Sequence, residues 1–403
     1  MSNGIGKVRK KSVFEKHLDL VARERRDKSL TEEERKEARY DKLNGIFDEL
    51  GNKKNRYLFY CPDVPFANSM VKIIYEYAYM LQNMGYETMV MHEVKGFKPE
   101  WLKYDWVKDV KRGFLSERKK QGGHTSPVWD FKPTDTIIIP DGFWEIMRSI
   151  YDIKTIHKVV LCFGFSGLGT IEPGINWAHA GITDVICMSE QIKSDYEALW
   201  PNMNYYVTGY ELNFDKLTPI DVIEQRPVIG LATRSREDAQ QIINLFYAKY
   251  PFLDLFQFKV LKKLDTTNYL EAIRQCAVMV FVDEKAGYPA PPMEAIAADV
   301  PVIAPYGRGM SHLNNQEGVI WLGSTDNFII AEQLAGFCLE WLEKIPEPIS
   351  NKEVLDTFKA DVIRDKLLVI MDNLQEYKVK VFTAVKQAVD EGKLDDKQLG
   401  INN

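Results

Sequence analysis

The stretch GYPAPPMEAIAADVPVIAPYGRGMSH, residues Gly287–His312, shows most clearly how this chain folds. Two adjacent prolines precede Glu294 in a run of helix-forming residues, and a short apolar strand and a glycine-rich turn follow. In open α/β sheets, the loops at the carboxyl ends of strands are where ligands bind. The stretch therefore predicts a helix that holds a carboxylate rigidly, followed by a strand and a loop beside a ligand.

Strands and helices alternate on both sides of this stretch. Continuous apolar runs of strand length include RYLFYC (56–61), DTIIIP (135–140) and KVVLCFG (158–164) in the first half, and RPVIGLAT, AVMVFVD and GVIWLG in the second. Helical patterns separate these runs, which is typical of parallel sheets covered on both faces. The sequence thus predicts an α/β protein of two Rossmann-like, doubly wound domains that face a cleft, with an N-terminal helical extension.

The expected boundaries divide the chain into four parts. They are a basic helical extension (1–55), an acceptor-side Rossmann-like domain (56–222), a nucleotide-sugar-binding Rossmann-like domain (223–365) and C-terminal helices that return to the first domain (366–403). In the extension, Thr31 and Glu34 have the spacing of a helix-capping pair, and Gly51 is a stop signal.

The opening stretch resembles the donor motif of retaining family 4 glycosyltransferases, which have the GT-B fold. Their motif reads E-G-F-G-x-P-P-x-E-A-x-A-x-G-x-P-V-I before a glycine-rich loop. This chain matches it at Gly287, Tyr288, Pro291, Pro292, Glu294, Ala295, Ala297, Pro301, Val302, Ile303, Gly307 and Gly309. The resemblance covers most of residues 56–345 and implies transfer of a sugar from a nucleoside-diphosphate sugar.

The resemblance also implies roles for single residues. Glu294 would accept hydrogen bonds from the ribose hydroxyls of the donor, and arginines would stabilise the leaving diphosphate. The catalytic candidates are Arg234, Arg236 and Glu294. The donor-binding candidates are Gly287, Tyr288, Glu294, Gly307, Arg308 and Gly309.

Two positions depart from the family pattern. Ala286 stands where the family has its first glutamate, which contacts the transferred sugar, and Asp283 or Glu284 is the expected substitute. Asp299 stands where a glycine is usual. These departures predict either a donor sugar that is held differently or a divergent subfamily with an unusual donor. Loss of activity is a further alternative.

Basic segments suggest where an acceptor would bind. Residues 1–56 carry 16 Lys and Arg against 11 Asp and Glu, and a second basic cluster lies in KDVKRGFLSERKKQGGH. Charge runs are usually solvated surface, and that interpretation stays open. The alternative is a site for an anionic acceptor. The acceptor-side candidates are Asp63, Asn68, Ser69, Lys111, Arg112, Arg118, Lys119 and Lys120, of which Asn68 and Ser69 also suit a helix cap.

Three classes of function remain open. The leading one is a metal-independent glycosyltransferase with a glycan or a modified base in DNA as acceptor. The resemblance implies that it retains the configuration at the anomeric carbon. The second is another GT-B enzyme, such as an epimerase or a phosphorylase. The third is a non-catalytic protein that binds a nucleotide sugar or nucleic acid. No cofactor is expected besides the donor, and no metal, because the chain has no Asp-x-Asp and its six histidines lack ligand spacing.

Composition is that of an ordinary globular protein. The 403 residues are 45% apolar and 27% charged, with no apolar run near the ~20 residues of a membrane span. The first residues lack the apolar segment of a signal peptide. Five scattered cysteines without a CxxC motif are typical of free thiols in a reducing compartment. We therefore expect a cytoplasmic protein.

Overall fold

The computed structural model describes residues 31–51, 55–119, 125–128, 131–132, 134–151, 156–220, 227–233, 235–283, 288, 290–344, 347–350 and 352–391. Within these ranges the chain forms two parallel sheets, with helices packed against them. No helix among these residues is long and apolar enough to cross a membrane.

The N-terminal unit consists of a seven-stranded sheet and its helices. Its strands are β1 (Arg56–Tyr60), β2 (Glu87–His92), β3 (Arg112–Phe114), β6 (Thr136–Pro140), β7 (His157–Cys162), β8 (Asp184–Cys187) and β9 (Asn204–Val207). The order across the sheet is β3-β2-β1-β6-β7-β8-β9, and all pairs are parallel. The helices are α2 (Ser69–Asn83), α3 (Trp144–Ser149) and α4 (Glu190–Leu199). An antiparallel hairpin, β4 (Ser116–Lys119) and β5 (Thr125–Val128), follows β3.

The C-terminal unit consists of a five-stranded parallel sheet and its helices. Its strands are β10 (Val228–Ala232), β11 (Gln257–Val260), β12 (Val278–Phe281), β13 (Val302–Pro305) and β14 (Val319–Leu322), in the order β11-β10-β12-β13-β14. Its helices are α5 (Arg236–Lys249), α6 (Thr266–Arg274), α7 (Ala290–Ala297) and α8 (Asn327–Glu343). Strand order reverses at β10, so the crevice between β10 and β12 is a topological switch point.

Three further helices lie at the two ends of the described chain. They are α1 (Glu32–Gly51), α9 (Glu353–Asp356) and α10 (Ala360–Asp390). The predicted cap of α1 is confirmed, because the Thr31 N–H donates to Glu34 Oε2 (2.7 Å) and the Glu34 N–H donates back to Thr31 Oγ1 (3.3 Å). Helix α10 packs against α1 and α2, and so returns to the N-terminal unit. The domain boundaries remain a prediction.

The predicted α/β class with two doubly wound units is confirmed, and the differences are local. The basic cluster after β2 contains β3 and β4, which its charged residues did not predict, and β5 follows it directly. Asp299 has a φ of 59° just after α7, a left-handed conformation that glycine adopts freely and Asp tolerates better than most residues. This explains why an aspartate can occupy a position where the family has glycine.

Candidate functional site

The carboxyl edge of the C-terminal sheet brings several predicted residues together. Arg236 follows β10, Tyr288 and Glu294 follow β12, and Gly307 follows β13. Because β10, β12 and β13 are neighbouring parallel strands, the segments after them lie at the same edge of the sheet. The candidates converge at the switch point where an open α/β sheet binds its ligand.

Arg236 is the first residue of α5 and is exposed. Ser235 caps this helix, since the Asp238 N–H donates to Ser235 Oγ at 3.0 Å. A cation at the positive end of a helix dipole is locally unfavourable, whereas an anion bound there gains from both the dipole and the cation. The start of α5 is therefore suited to a phosphate group.

Glu294 lies in α7 with only 4% of its surface exposed. It is paired across the two units with Lys72 of α2, whose Nζ lies 3.5 Å from Glu294 Oε1. Lys72 is also 3.5 Å from Glu76 Oε1, one helical turn further along α2. We call the contact between α2 and the α6–α7 region the seam, with a buried lysine between two carboxylates at its centre.

The charges in the seam are strongly perturbed. Burial by itself would lower the pKa of Lys72, but Glu76, Tyr104 and Glu294 more than offset this and hold the pKa above its usual value. Burial raises the pKa of Glu76, and Lys72 offsets only part of that rise. Lys72 therefore remains an ammonium group, and it is the positive charge that the buried Glu294 faces.

Aromatic side chains surround this ion pair. The Tyr210 hydroxyl donates to the Ala290 carbonyl at 3.3 Å, and the rings of Tyr210 and Tyr288 meet edge to face with centroids 5.5 Å apart. Tyr269 of α6 lies beside Glu294, and burial together with that carboxylate raises the pKa of its hydroxyl. Within the described residues, the Tyr269 hydroxyl and Glu76 Oε2 are buried without a hydrogen-bond partner. The seam is closed, but its polar groups are not all satisfied.

Gly307 is buried and extended (φ −125°), and it precedes a 3₁₀ helix at Arg308–Leu313. The Met310 N–H donates to the Gly307 carbonyl at 3.0 Å, which closes the first turn. Residues Arg234, Glu284, Ala286, Gly287 and Lys120 lie outside the described residues. The same holds for the side chains of Arg118, Lys119 and Arg308, while the backbone of Gly309 is part of the 3₁₀ helix.

The acceptor-side candidates Asp63, Asn68 and Ser69 follow β1 at the carboxyl edge of the N-terminal sheet, whereas Lys111 precedes β3 and Arg112 is its first residue. Asp63 Oδ1 lies 2.7 Å from His92 Nδ1, and its Oδ2 accepts from the Val94 N–H. Asn68 caps α2, as expected, by accepting from the Val71 N–H at 3.2 Å. Ser69 is the first residue of α2. Lys111, just before β3, is exposed and Arg112 in β3 is half-buried, so these two are the basic residues among the candidates whose side chains the structure describes.

Asp141, directly after β6, is a site residue that sequence reasoning missed. It is 1% exposed, and within the described residues neither carboxylate oxygen forms a hydrogen bond of normal geometry, although backbone N–H groups of Phe163, Gly164 and Gly167 face it. Burial raises its pKa to about 7, although nearby N–H groups such as that of Phe163 act in the opposite direction. Gly167 covers it so closely that a Cβ there would lie 2.5 Å from the Asp141 carbonyl oxygen. The glycine-rich loop 161–169 thus closes over a buried acid.

No family model matches the sequence, and no curated protein matches it either. Solved structures do match. Anabaena HepE in complex with UDP is 12% identical, with a TM-score of 0.55 over 79% of this chain and 100% of that one. The sucrose-phosphate synthase of Thermosynechococcus elongatus is 10% identical, with a TM-score of 0.54 over 79% and 99%. The pneumococcal O-GlcNAc transferase GtfA in complex with UDP and GlcNAc is 11% identical, with a TM-score of 0.52 over 79% and 99%.

The fold is GT-B. The predicted resemblance is confirmed at the level of the fold, and the assignment to family 4 remains a prediction. In this GT-B chain the sequence patterns missed Lys72, Glu76 and Tyr269, which surround the predicted Glu294. A signal for two of them was present, because Lys72 and Glu76 are charged residues four apart inside the otherwise apolar helix MVKIIYEYAYM. Among the described residues, no group of three His, Cys, Asp or Glu side chains is arranged to bind a metal ion.

Proposed function

We propose that the protein is a glycosyltransferase that moves a sugar from a nucleoside-diphosphate sugar to an acceptor, without a metal ion and with retention at the anomeric carbon. The observation that carries the proposal is the convergence of Arg236, Glu294 and Gly307 at the switch-point edge of the C-terminal sheet. That edge meets the N-terminal unit at the seam. A donor held there would lie between the two units, where an acceptor can reach it.

The chemistry follows from the residue types. The two oxygens of Glu294 suit the two hydroxyls of a ribose, and Arg236 with the start of α5 suits the diphosphate. When the glycosidic C–O bond breaks, its electron pair goes to the diphosphate oxygen, so negative charge grows on the leaving group. Fixed positive charge at α5 stabilises that growth without a metal ion.

Retention requires the new bond to form on the face of the sugar that the diphosphate leaves. In the proposed reaction the acceptor hydroxyl approaches on that face and its oxygen bonds to the anomeric carbon. Its proton passes to the departing diphosphate, so no separate protein base is needed. The acceptor is proposed to be either a glycan or a modified base in DNA, bound against the N-terminal unit near Lys111 and Arg112. A steep fall in acceptor affinity with added salt would favour DNA.

The test is a thermal-shift titration with UDP, ADP, GDP, CDP and dTDP in the presence of EDTA. UDP comes first because two of the similar structures were solved with it. We expect one nucleotide to stabilise the protein, by about 2.7 kcal/mol at a hundred times its dissociation constant. Glu294→Gln should abolish the shift, whereas the exposed Glu340→Gln on α8 serves as the matched control and should retain it. If no nucleotide raises the Tm of the native protein, the donor site is wrong.

A second candidate function is a non-catalytic nucleotide-sugar or nucleic-acid binding protein. The observation that favours it is Lys72, which occupies the carboxylate assigned to the ribose. Slow hydrolysis of the donor by water, which releases the free sugar and the nucleoside diphosphate, separates the two functions. A protein that binds UDP but never cleaves any UDP-sugar would belong to the second class.

A further inference from the structure

The ion pair between Lys72 and Glu294 blocks the group that the donor needs. Lys72, Glu76 and Glu294 are 7%, 6% and 4% exposed, so the closed seam has no room for a ribose between them. The ammonium of Lys72 and a ribose diol are both hydrogen-bond donors, and both would use the Glu294 carboxylate. They cannot use it in the same way at the same time.

The geometry of the pair also allows a ligand to replace Lys72 as the partner of Glu294. Its N–O distance of 3.5 Å exceeds the 2.7–2.9 Å typical of a charge-assisted hydrogen bond. The attraction is therefore mainly Coulombic. Lys72 has a second carboxylate, Glu76, on its own helix at the same distance, and the Tyr210 ring lies 5.8 Å from its Nζ. If Glu294 is taken by a ligand, Lys72 keeps the Glu76 carboxyl group as a partner within the N-terminal unit.

A separate observation points to a hydroxyl-bearing ligand at this place. Among the described residues, the buried Tyr269 hydroxyl makes no hydrogen bond of normal geometry, and burial together with the Glu294 carboxylate beside it raises its pKa. A ribose hydroxyl can accept from Tyr269 while it donates to Glu294, which the lysine ammonium cannot do because it has no acceptor.

We propose that Lys72 sets the affinity for the nucleoside diphosphate by competing with its ribose for Glu294, so that the donor binds only when α2 separates from α7. This inference rests on the proposed function, since it takes Glu294 as the ribose ligand. Only open molecules can bind the donor. The apparent affinity is therefore the affinity of the open form multiplied by the fraction of molecules that are open. If about one molecule in ten is open, binding is about tenfold weaker than in a protein without the pair.

The test measures the dissociation constant of UDP, and of ADP and GDP, by titration calorimetry for three variants. Lys72→Met removes the ammonium and keeps the length of the side chain, and Lys72→Gln is a milder second variant should the first fail to fold. Lys378→Met is the matched control, because Lys378 is also a buried lysine (3% exposed) but bonds to the Thr134 carbonyl, away from the seam. We expect about tenfold tighter binding for the Lys72 variants and unchanged binding for the control.

Glu294→Gln separates failure of this inference from failure of the proposed function. If Glu294→Gln weakens binding but the Lys72 variants bind equally or more weakly than the native protein, the competition is wrong and the donor site stands. If Glu294→Gln binds like the native protein, the donor site is wrong and the inference falls with it.

Discussion

Two buried lysines of this protein, Lys72 and Lys378, meet opposite electrostatic surroundings. Lys72 lies at the seam between Glu76 and Glu294, and its pKa is held above the usual value. Lys378 lies on α10, donates to the Thr134 carbonyl at 2.6 Å and has its Nζ 5.2 Å from the centre of the Tyr57 ring. There burial lowers the pKa to about 7, and Asp135 offsets only part of the effect.

The difference shows that burial alone does not decide the state of a lysine. A lysine that docks a helix needs one carbonyl and a ring, and it can give up its proton near neutral pH. A lysine that faces two carboxylates must remain charged, because burying unpaired charges is expensive. An ion pair that joins two units, and that contains a predicted ligand-binding carboxylate, is a site where binding and domain contact are coupled.

The largest expected effect is on stability. Lys72→Met leaves Glu76 and Glu294 buried without their cation, and removing one partner of a buried pair typically costs about 3–5 kcal/mol. Lys378→Met leaves only the Thr134 carbonyl unpaired, which costs about 1–2 kcal/mol. Urea unfolding of the two variants beside the native protein measures both losses. Equal losses in the free energy of unfolding would mean that the ion pairs of Lys72 stabilise the protein no more than the single hydrogen bond of Lys378.

Stability should rise with pH because of Lys378. Its pKa is about 7 in the folded protein and 10.5 in the reference state, so between these values the unfolded chain binds a proton that the folded protein does not. Stability contributed at this site is lost below pH 7 and recovered as the pH rises towards 10.5, by at most about 1.4 kcal/mol per pH unit. The Tm of the native protein and of Lys378→Met, measured from pH 7 to 10, should show the rise only in the native protein. A parallel rise in both would assign it to other groups.

The two sheets and the edge that carries Glu294 could be predicted from sequence, but the contact between Lys72 and Glu294 could not. Apolar strand runs predicted both sheets because a strand buried on both faces leaves a local pattern. The motif around Glu294 predicted the edge where the candidates converge. Lys72 lies 222 positions before Glu294, and no local pattern states which distant carboxylate a charged residue inside an apolar helix will meet. Strand β4 was missed because its charged residues concealed the strand pattern.

Asp141 predicts a slope of the opposite sign at lower pH. Its pKa is raised from 3.8 to about 7 by burial, so the folded protein holds a proton that the unfolded chain releases. The stabilisation is complete below about pH 4 and is lost as the pH rises through 7. Asp141→Asn keeps the shape without the charge and should be more stable than the native protein at pH 8, by about 1 kcal/mol. Thermal unfolding at pH 4, 6 and 8 checks this, and a native protein that gains stability over that range relative to the variant would contradict it.

The smallest expected effect concerns the helix that packs on α10. Ile46 and Phe47 of α1 contact Phe382 of α10, the helix that also carries Lys378. Thr31→Ala removes the helix cap, and losing one cap should speed amide hydrogen exchange in the first turns of α1 about fivefold. Exchange in α2, and the affinity for UDP, should not change, because the cap acts on the docked helix and not on the seam. If UDP affinity fell with this variant, α1 and the seam would be one coupled structure. The surroundings of Lys378 and of Lys72 would then not be independent of each other.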